Sequence, residues 1–379
     1  MISYIKGTNI SYIIPNLILI VTLSYIGISR AQHRLTKLRS LNPSTPSVQS
    51  KMIIGISIWL FLCAFLVLVI TIIGGYTRLS GSGLSIVEWK PIIGVIPPLN
   101  AEEWLIEFAK YKLSPEYQLK NYGISLYEFK QIFLVEYIHR VVGRVTGFVF
   151  ILPFCYFFFT KQLSKKLTFW LCLVFALGAL QAFIGWYMVS SGLKNSPYVS
   201  HYRLALHLGV AVVIYSSLIW MAIPQSKNNI IDKKLSKHLV LLATLIFIQI
   251  IVGAFVSGLK AGFIYNSFPL MDNRILPREL WHLPHNPLDS PVFVQFIHRV
   301  LAFLILIYTT WIVITSRATV HKLLLLKIIP AVLIVQVLIG IITLIYVSPW
   351  PLALLHQLLA VLTLTSIVIS IKKYAKKII

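Results

Sequence analysis

Acidic side chains are scarce in this chain: 11 Asp and Glu stand against 34 Lys and Arg in 379 residues, and charged residues make up only 12%. Soluble domains carry about 25% charged residues, so the deficit excludes an ordinary soluble globule. Cysteine is scarce too. Cys63, Cys155 and Cys172 all lie inside apolar runs. No pair has metal-ligand spacing, and none lies in a loop where an oxidising compartment would favour a disulfide. They read as small packing or lipid-facing side chains.

What the chain has instead is apolar length. It is 58% hydrophobic, with a mean hydropathy of +0.83. Apolar runs near or above about 20 residues recur along it, which is the length needed to cross a bilayer. The net charge of +23 does not point to nucleic acid, because the basic residues sit in short clusters between the apolar runs.

Eight spans follow: 52–75, 137–160, 167–189, 202–223, 238–258, 294–315, 328–347 and 351–370. Basic clusters follow every second one: Lys161, Lys165 and Lys166; Lys227, Lys233, Lys234 and Lys237; Arg317, Lys322 and Lys327; then Lys372, Lys373, Lys376 and Lys377. The positive-inside rule puts these on the cytoplasmic side. Loops 76–136, 190–201 and 259–293 and the link near Pro349 and Pro351 then lie outside. The first is long and carries Glu102, Glu103, Glu107 and Glu116. Residues 11–28 form a further apolar run followed by Arg30, Arg34, Lys37 and Arg39. It reads as a candidate extra span, an uncleaved signal anchor or upstream sequence from a misplaced start codon, with no small-residue cleavage pattern.

The chain repeats itself. Glu136-Tyr137-Ile138-His139-Arg140-Val141-Val142 matches Gln295-Phe296-Ile297-His298-Arg299-Val300-Leu301. Leu180-Gln181-Ala182-Phe183-Ile184-Gly185 matches Val335-Gln336-Val337-Leu338-Ile339-Gly340. Leu204-Ala205-Leu206-His207 matches Leu352-Ala353-Leu354-Leu355-His356 with one insertion, and Gly74, Gly75 and Ser82-Gly83 correspond to Gly253 and Ser257-Gly258. The expected fold is therefore an all-α polytopic membrane protein. Its eight-span core is two pseudo-symmetric four-helix bundles, 52–237 and 238–379, preceded by an extension, 1–51. An even number of spans per unit gives both units the same orientation.

Four of the ten histidines fall within spans: His139, His207, His298 and His356. Each lies two to five residues from the outer end of its span, so at about 1.5 Å per residue all share a shallow depth. Ionisable groups inside a membrane are rare and usually functional. The bland alternative, a core histidine bonded to a backbone carbonyl, explains one residue better than four at repeat-related positions. Two facing imidazoles in a helical bundle suit heme iron, which takes axial ligands on opposite sides. Zinc would want a third or fourth ligand. A di-iron carboxylate centre needs Glu-x-x-His twice, but it is complete only at Glu136–His139, and spans three, four, seven and eight contain no Asp or Glu. His33, His238 and His321 read as loop or cytoplasmic-end residues, and His201, His282 and His285 as outer-loop residues.

Arg140 and Arg299 each follow a histidine. Arginine grips carboxylates in pairs of bonds, so both suit heme propionates, with interfacial snorkelling as the plainer reading. Glu136, three residues from His139, shares its helical face. Its counterpart is Gln295, which suggests division of labour: one site does chemistry and the other carries electrons. The plainer reading is a helix N-terminal glutamate stabilised by the dipole.

Three longer stretches carry a family resemblance. Gly74-Gly75-Tyr76-Thr77-Arg78-Leu79-Ser80-Gly81-Ser82-Gly83-Leu84-Ser85-Ile86, with Trp89-Lys90-Pro91-Ile92 and Pro97-Pro98-Leu99, resembles the first signature of the heme A synthase family. Glu136–Arg140 resembles the second, and Tyr265-Asn266-Ser267-Phe268-Pro269-Leu270-Met271-Asp272 a third. The resemblance runs from about residue 52 to 370 and is nearest the alphaproteobacterial and mitochondrial branch. The chain lacks the paired cysteines that another branch carries in its first outer loop.

The resemblance implies oxidation of the ring-position-eight methyl of heme O to a formyl, giving heme A for terminal oxidases. Two hydroxylations and loss of water are the outline. It implies His139 and His207 as ligands of the substrate heme, His298 and His356 as ligands of a heme b cofactor, Glu136 as the catalytic residue, and Arg78, Arg140 and Arg299 as candidate propionate contacts. It implies a bacterial inner membrane, heme sites toward the periplasm, an electron donor, and heme O synthase and oxidase assembly proteins as partners. The alternative is a diheme b-type electron-transfer protein. Those commonly carry two ligand histidines on one helix, whereas here each candidate has its own span. A parallel-repeat transporter would want broken helices and polar residues at the midplane.

Overall fold

The computed structural model describes residues 48–89, 94–194, 196–224, 233–320 and 323–374. The run 11–28 lies outside them, as do Lys90-Pro91-Ile92, His33, His321, Lys227, Lys322, Lys376 and Lys377. The described residues form α1 (Val48–Leu79), α2 (Ala101–Lys112), α3 (Pro115–Leu119), α4 (Leu126–Phe159), α5 (Lys165–Gly192), α6 (His201–Ala222), α7 (Lys233–Gly258), α8 (Pro291–Thr315), α9 (Arg317–Val320), α10 (Leu324–Ile345) and α11 (Trp350–Tyr374). Among them, α1, α4, α5, α6, α7, α8, α10 and α11 are long and apolar enough to cross a membrane. Lipid offers no hydrogen bonds, so each crossing must close its own backbone as a helix. The protein is an all-α multi-pass membrane protein.

Local chemistry sets several helix starts. Ser164 caps α5 by accepting from Leu167 N, and Ser290 caps α8 by accepting from Phe293 N, with Pro291 at the first helical position. Such caps satisfy backbone N–H groups that the helix leaves free. Large apolar side chains cover the sides of the bundle: Phe148, Leu152, Phe159, Ile307 and Ile314 are all exposed. In water this would be costly, whereas lipid tails accept it.

The second span starts earlier than hydropathy indicates. A capping box at Ser125 and Glu128 begins α4 at Leu126 rather than 137. Hydropathy marks only the stretch that matches the bilayer, and the amphipathic turns before it are invisible to that measure. The expected outer loop 76–136 is thus partly helical. Its α2 packs on the first turns of α4 through Phe108, Tyr111, Phe129 and Phe133. One histidine expected in an outer loop is also helical: His201 opens α6, while His238 lies near the expected cytoplasmic end of α7.

The described residues from Ile56 onward pack as one compact unit. Leu239, Leu242, Ile246, Ile305, Ile312, Leu326, Ile329, Leu333, Leu364 and Ile367 form a core shared by α7, α8, α10 and α11. The two repeats interlock through polar bonds. Arg78 Nη2 donates to the Ser257 carbonyl, and Gln357 Nε2 donates to the Thr71 carbonyl at 2.9 Å. Gly75 leaves the room for this, because a β-carbon there would stand 2.4 Å from Gln357 Oε1.

Candidate functional site

Each of the four span histidines rests against a glycine of the preceding long helix. A β-carbon built on Gly74 would lie 3.3 Å from His139 Nε2, and one on Gly185 3.1 Å from His207 Cε1. On Gly253 it would lie 3.2 Å from His298 Cε1, and on Gly340 2.7 Å from His356 Cε1. The sequence pairs these residues in one order each time, glycine near the end of a rising helix and histidine on the returning one. The glycine's missing side chain is the space the imidazole fills.

All four histidines are partly buried. The rings of His298 and His356 stand edge to face, 6.3 Å apart between centroids, at 72°. Two imidazoles at that separation would hold one heme iron between them. Nδ1 of His207, His298 and His356 is buried without a protein partner. A buried polar atom in that state calls for an explanation, and coordination of a heme iron by these imidazoles would supply one. The residues present therefore fit heme. Among the described residues no three His, Cys, Asp or Glu side chains come together as a metal cluster.

A second repeated device holds the loops over the histidines. Glu136 is buried, eleven positions into α4 rather than at its N-terminus, so the helix dipole does not account for it. Its Oε2 accepts from Ser85 Oγ at 2.7 Å and from Ile86 N at 2.9 Å. Its Oε1 accepts from Arg140 Nη2 at 2.7 Å and Nε at 3.1 Å. Arg140 also donates to the carbonyls of Ile86 and Glu88. In the second repeat Gln295 Nε2 donates to the carbonyls of Ala261 at 3.0 Å and Ile264 at 2.7 Å. Arg299 donates to Tyr265 O and Ser267 O.

This gives the Glu136/Gln295 difference a structural cause beside any chemical one. The first loop presents donors, a hydroxyl and an N–H, and needs an acceptor. The second loop presents carbonyls and needs a donor. Arg140 and Arg299 likewise spend donors on loop carbonyls. Nε of Arg299 and Nε of Arg78 remain buried without a partner.

Sequence reasoning missed a third device. Gln181 Nε2 donates to the His207 carbonyl at 2.9 Å, Gln249 to that of His298 at 2.9 Å, and Gln336 to that of His356 at 3.0 Å. Each glutamine precedes the cradle glycine by one turn. The motif was visible at Gln181–Gly185 and Gln336–Gly340 in the repeat alignment, but Gln249–Gly253 carries it too. Ser85, inside the first signature, was also without an assigned part. The outer histidine His201 sits apart from the four, bonded through Nε2 to Asp289 at 3.0 Å.

Among the described residues, eight long apolar helices carry four imidazoles, each set against a glycine. The chain belongs to the cytochrome oxidase assembly protein family (COX15-CtaA), whose model matches residues 57–368. A heme A synthase of Wolbachia pipientis subsp. Culex pipiens (strain wPip) is 46% identical over 310 residues, covering 80% of this chain and 92% of its own length. Heme A synthases of Wolbachia pipientis wMel and Rickettsia africae (strain ESF-5) are 46% identical over 310 residues and 44% identical over 323, covering 87% and 95% of their own lengths.

Proposed function

We propose that this chain converts heme O to heme A, oxidising the methyl group at ring position eight to a formyl by two hydroxylations and loss of water. The observation that carries the reading is the fourfold glycine–histidine cradle, two in each repeat, in a chain of this family. His139 and His207 hold the substrate heme in the first half, 52–237. His298 and His356 hold a heme b in the second, 238–379. Heme b bound there supplies one-electron redox chemistry.

The chain's own residues position and protonate. Glu136 serves as the catalytic carboxylate, holding or taking up a proton at Oε2, where the Ser85 hydroxyl is next in line. Arg140 fixes the carboxylate's orientation through two bonds to Oε1, and charge-assisted bonds of this kind are the strong ones. Arg78, Arg140 and Arg299 are the candidate propionate contacts, with the buried Nε of Arg78 and Arg299 the donors left over. The setting is a bacterial inner membrane with both sites toward the periplasm, as the basic clusters at the other helix ends favour. Partners are membrane lipid, heme O, heme A, an electron donor, heme O synthase and oxidase assembly proteins.

The test is expression of the full chain with a heme O source in a host without the activity, followed by pigment extraction and chromatography. Heme A is the expected product. Unaltered heme O, beside membrane-inserted protein, would overturn the reading.

A further inference from the structure

The four histidine cradles are not alike one turn below the ring. In three of them a glutamine reaches across and donates to the histidine's backbone carbonyl. Two of these amides also lie near the ring itself, 3.4 Å for Gln181–His207 and 3.5 Å for Gln336–His356. In all three the residue four positions after the histidine is alanine: Ala211, Ala302 and Ala360.

The first cradle breaks both rules together. Ile70 stands where the glutamine belongs, four residues before Gly74, and Gly143 stands where the alanine belongs, four residues after His139. The two changes touch. A β-carbon on Gly143 would lie 3.2 Å from Ile70 Cδ1. The larger, apolar Ile70 is accommodated by the smaller Gly143, so volume is kept and the polar tie is lost. The amide N–H of Gly143 is the one that closes the helical turn on the His139 carbonyl. Glycine holds a helical turn less firmly than alanine. His139 is thus the one ligand candidate of the four whose turn lacks the cross-helix bond and is closed by a glycine.

We propose that the Ile70–Gly143 pair makes His139 the releasable ligand of the first site, so that heme can enter and leave there while the second site keeps its own. The inference rests on the reading of the four histidines as heme ligands. Its logic is kinetic. A cofactor is best held by two tied ligands, as Gln249 and Gln336 tie His298 and His356. A substrate must exchange every turnover, and a site with one tied ligand, His207, and one untied ligand, His139, permits that without losing its register. Ile70 and Gly143 are positioning residues in this account.

The test uses the full-length protein, purified in detergent and loaded with heme O, and follows pigment transfer to an excess of apo-globin by absorbance. The parent is expected to release pigment in two phases, the fast one from the first site. Installing the tie with Ile70→Gln and Gly143→Ala together should slow the fast phase about fivefold, the ratio that one typical hydrogen bond supplies. The slow phase should not move. Removing the tie beside His207, with Gln181→Ile and Ala211→Gly, should speed the fast phase by a similar factor and guards against a first variant that does not fold. An unchanged fast phase in a folded Ile70→Gln/Gly143→Ala protein, or a single phase in the parent, would overturn the inference. If His139→Ala leaves the fast-phase pigment untouched, the ligand assignment falls, and this inference with it.

Discussion

Gly340 stands so close to His356 that a β-carbon on it would lie 2.7 Å from the ring's Cε1, nearer than real Cβ atoms come. The other three cradles are looser, with Gly74 at 3.3 Å from His139 the loosest. Gly340→Ala should therefore push His356 aside and lower or shift the heme b signal in a reduced-minus-oxidised spectrum. Gly74→Ala should be borne with a few tenths of an ångström of adjustment and keep most of its pigment. Equal pigment in the two variants would show that the glycines are not there for the rings.

Glu136→Gln separates chemistry from scaffolding. A glutamine at 136 can still accept from Ser85 and Ile86 through its carbonyl oxygen, so the loop should stay in place. The ion pair with Arg140, 2.7 Å long and with Glu136 almost fully buried, is lost. Both hemes should remain bound while formyl production stops, read by pigment extraction and chromatography. Heme A at parental levels in this variant would remove Glu136 from the catalytic role.

His298→Leu takes away one side of the 6.3 Å imidazole gap. The resident heme b should be lost, and the first site should still take up heme O. A difference spectrum identical to the parent's would refute the assignment of the second pair.

Glu116 carries a pH dependence outside the spans. Burial raises its carboxyl above the ordinary value of 4.5, opposed by Lys120 Nζ at 3.1 Å and the Tyr111 hydroxyl. A folded-state value above the unfolded one means its contribution to stability is present below about 4.5 and is lost as pH rises through the folded value. Glu116→Gln removes that titration. Its melting temperature, relative to the parent's, should rise from about pH 4 to about pH 7. Parallel curves would show that Glu116 is not perturbed by its burial.

Much of the fold was open to reading because a bilayer imposes a length on every crossing. The eight spans follow from that requirement alone, and their ends differ from hydropathy where caps such as Ser125 with Glu128 extend a helix past the apolar stretch. The four histidines were legible because the chain repeats, and a repeat marks equivalent positions without any knowledge of distance. The two arginines were found for the same reason, but their partners were not. Arg140 and Arg299 reach loop carbonyls that no spacing rule connects to them.

Sequence alone determined the class of protein, the eight crossings found among the described residues and which four imidazoles stand at matching places. Tertiary structure decided what each of them touches: the glycine behind each ring, the glutamine behind three of them, and the isoleucine and glycine behind the fourth. The reason is that these helices are apolar all round, as membrane helices are, so no polar stripe tells which face meets which neighbour. Contacts between helices depend on that choice of face, and only packing makes it.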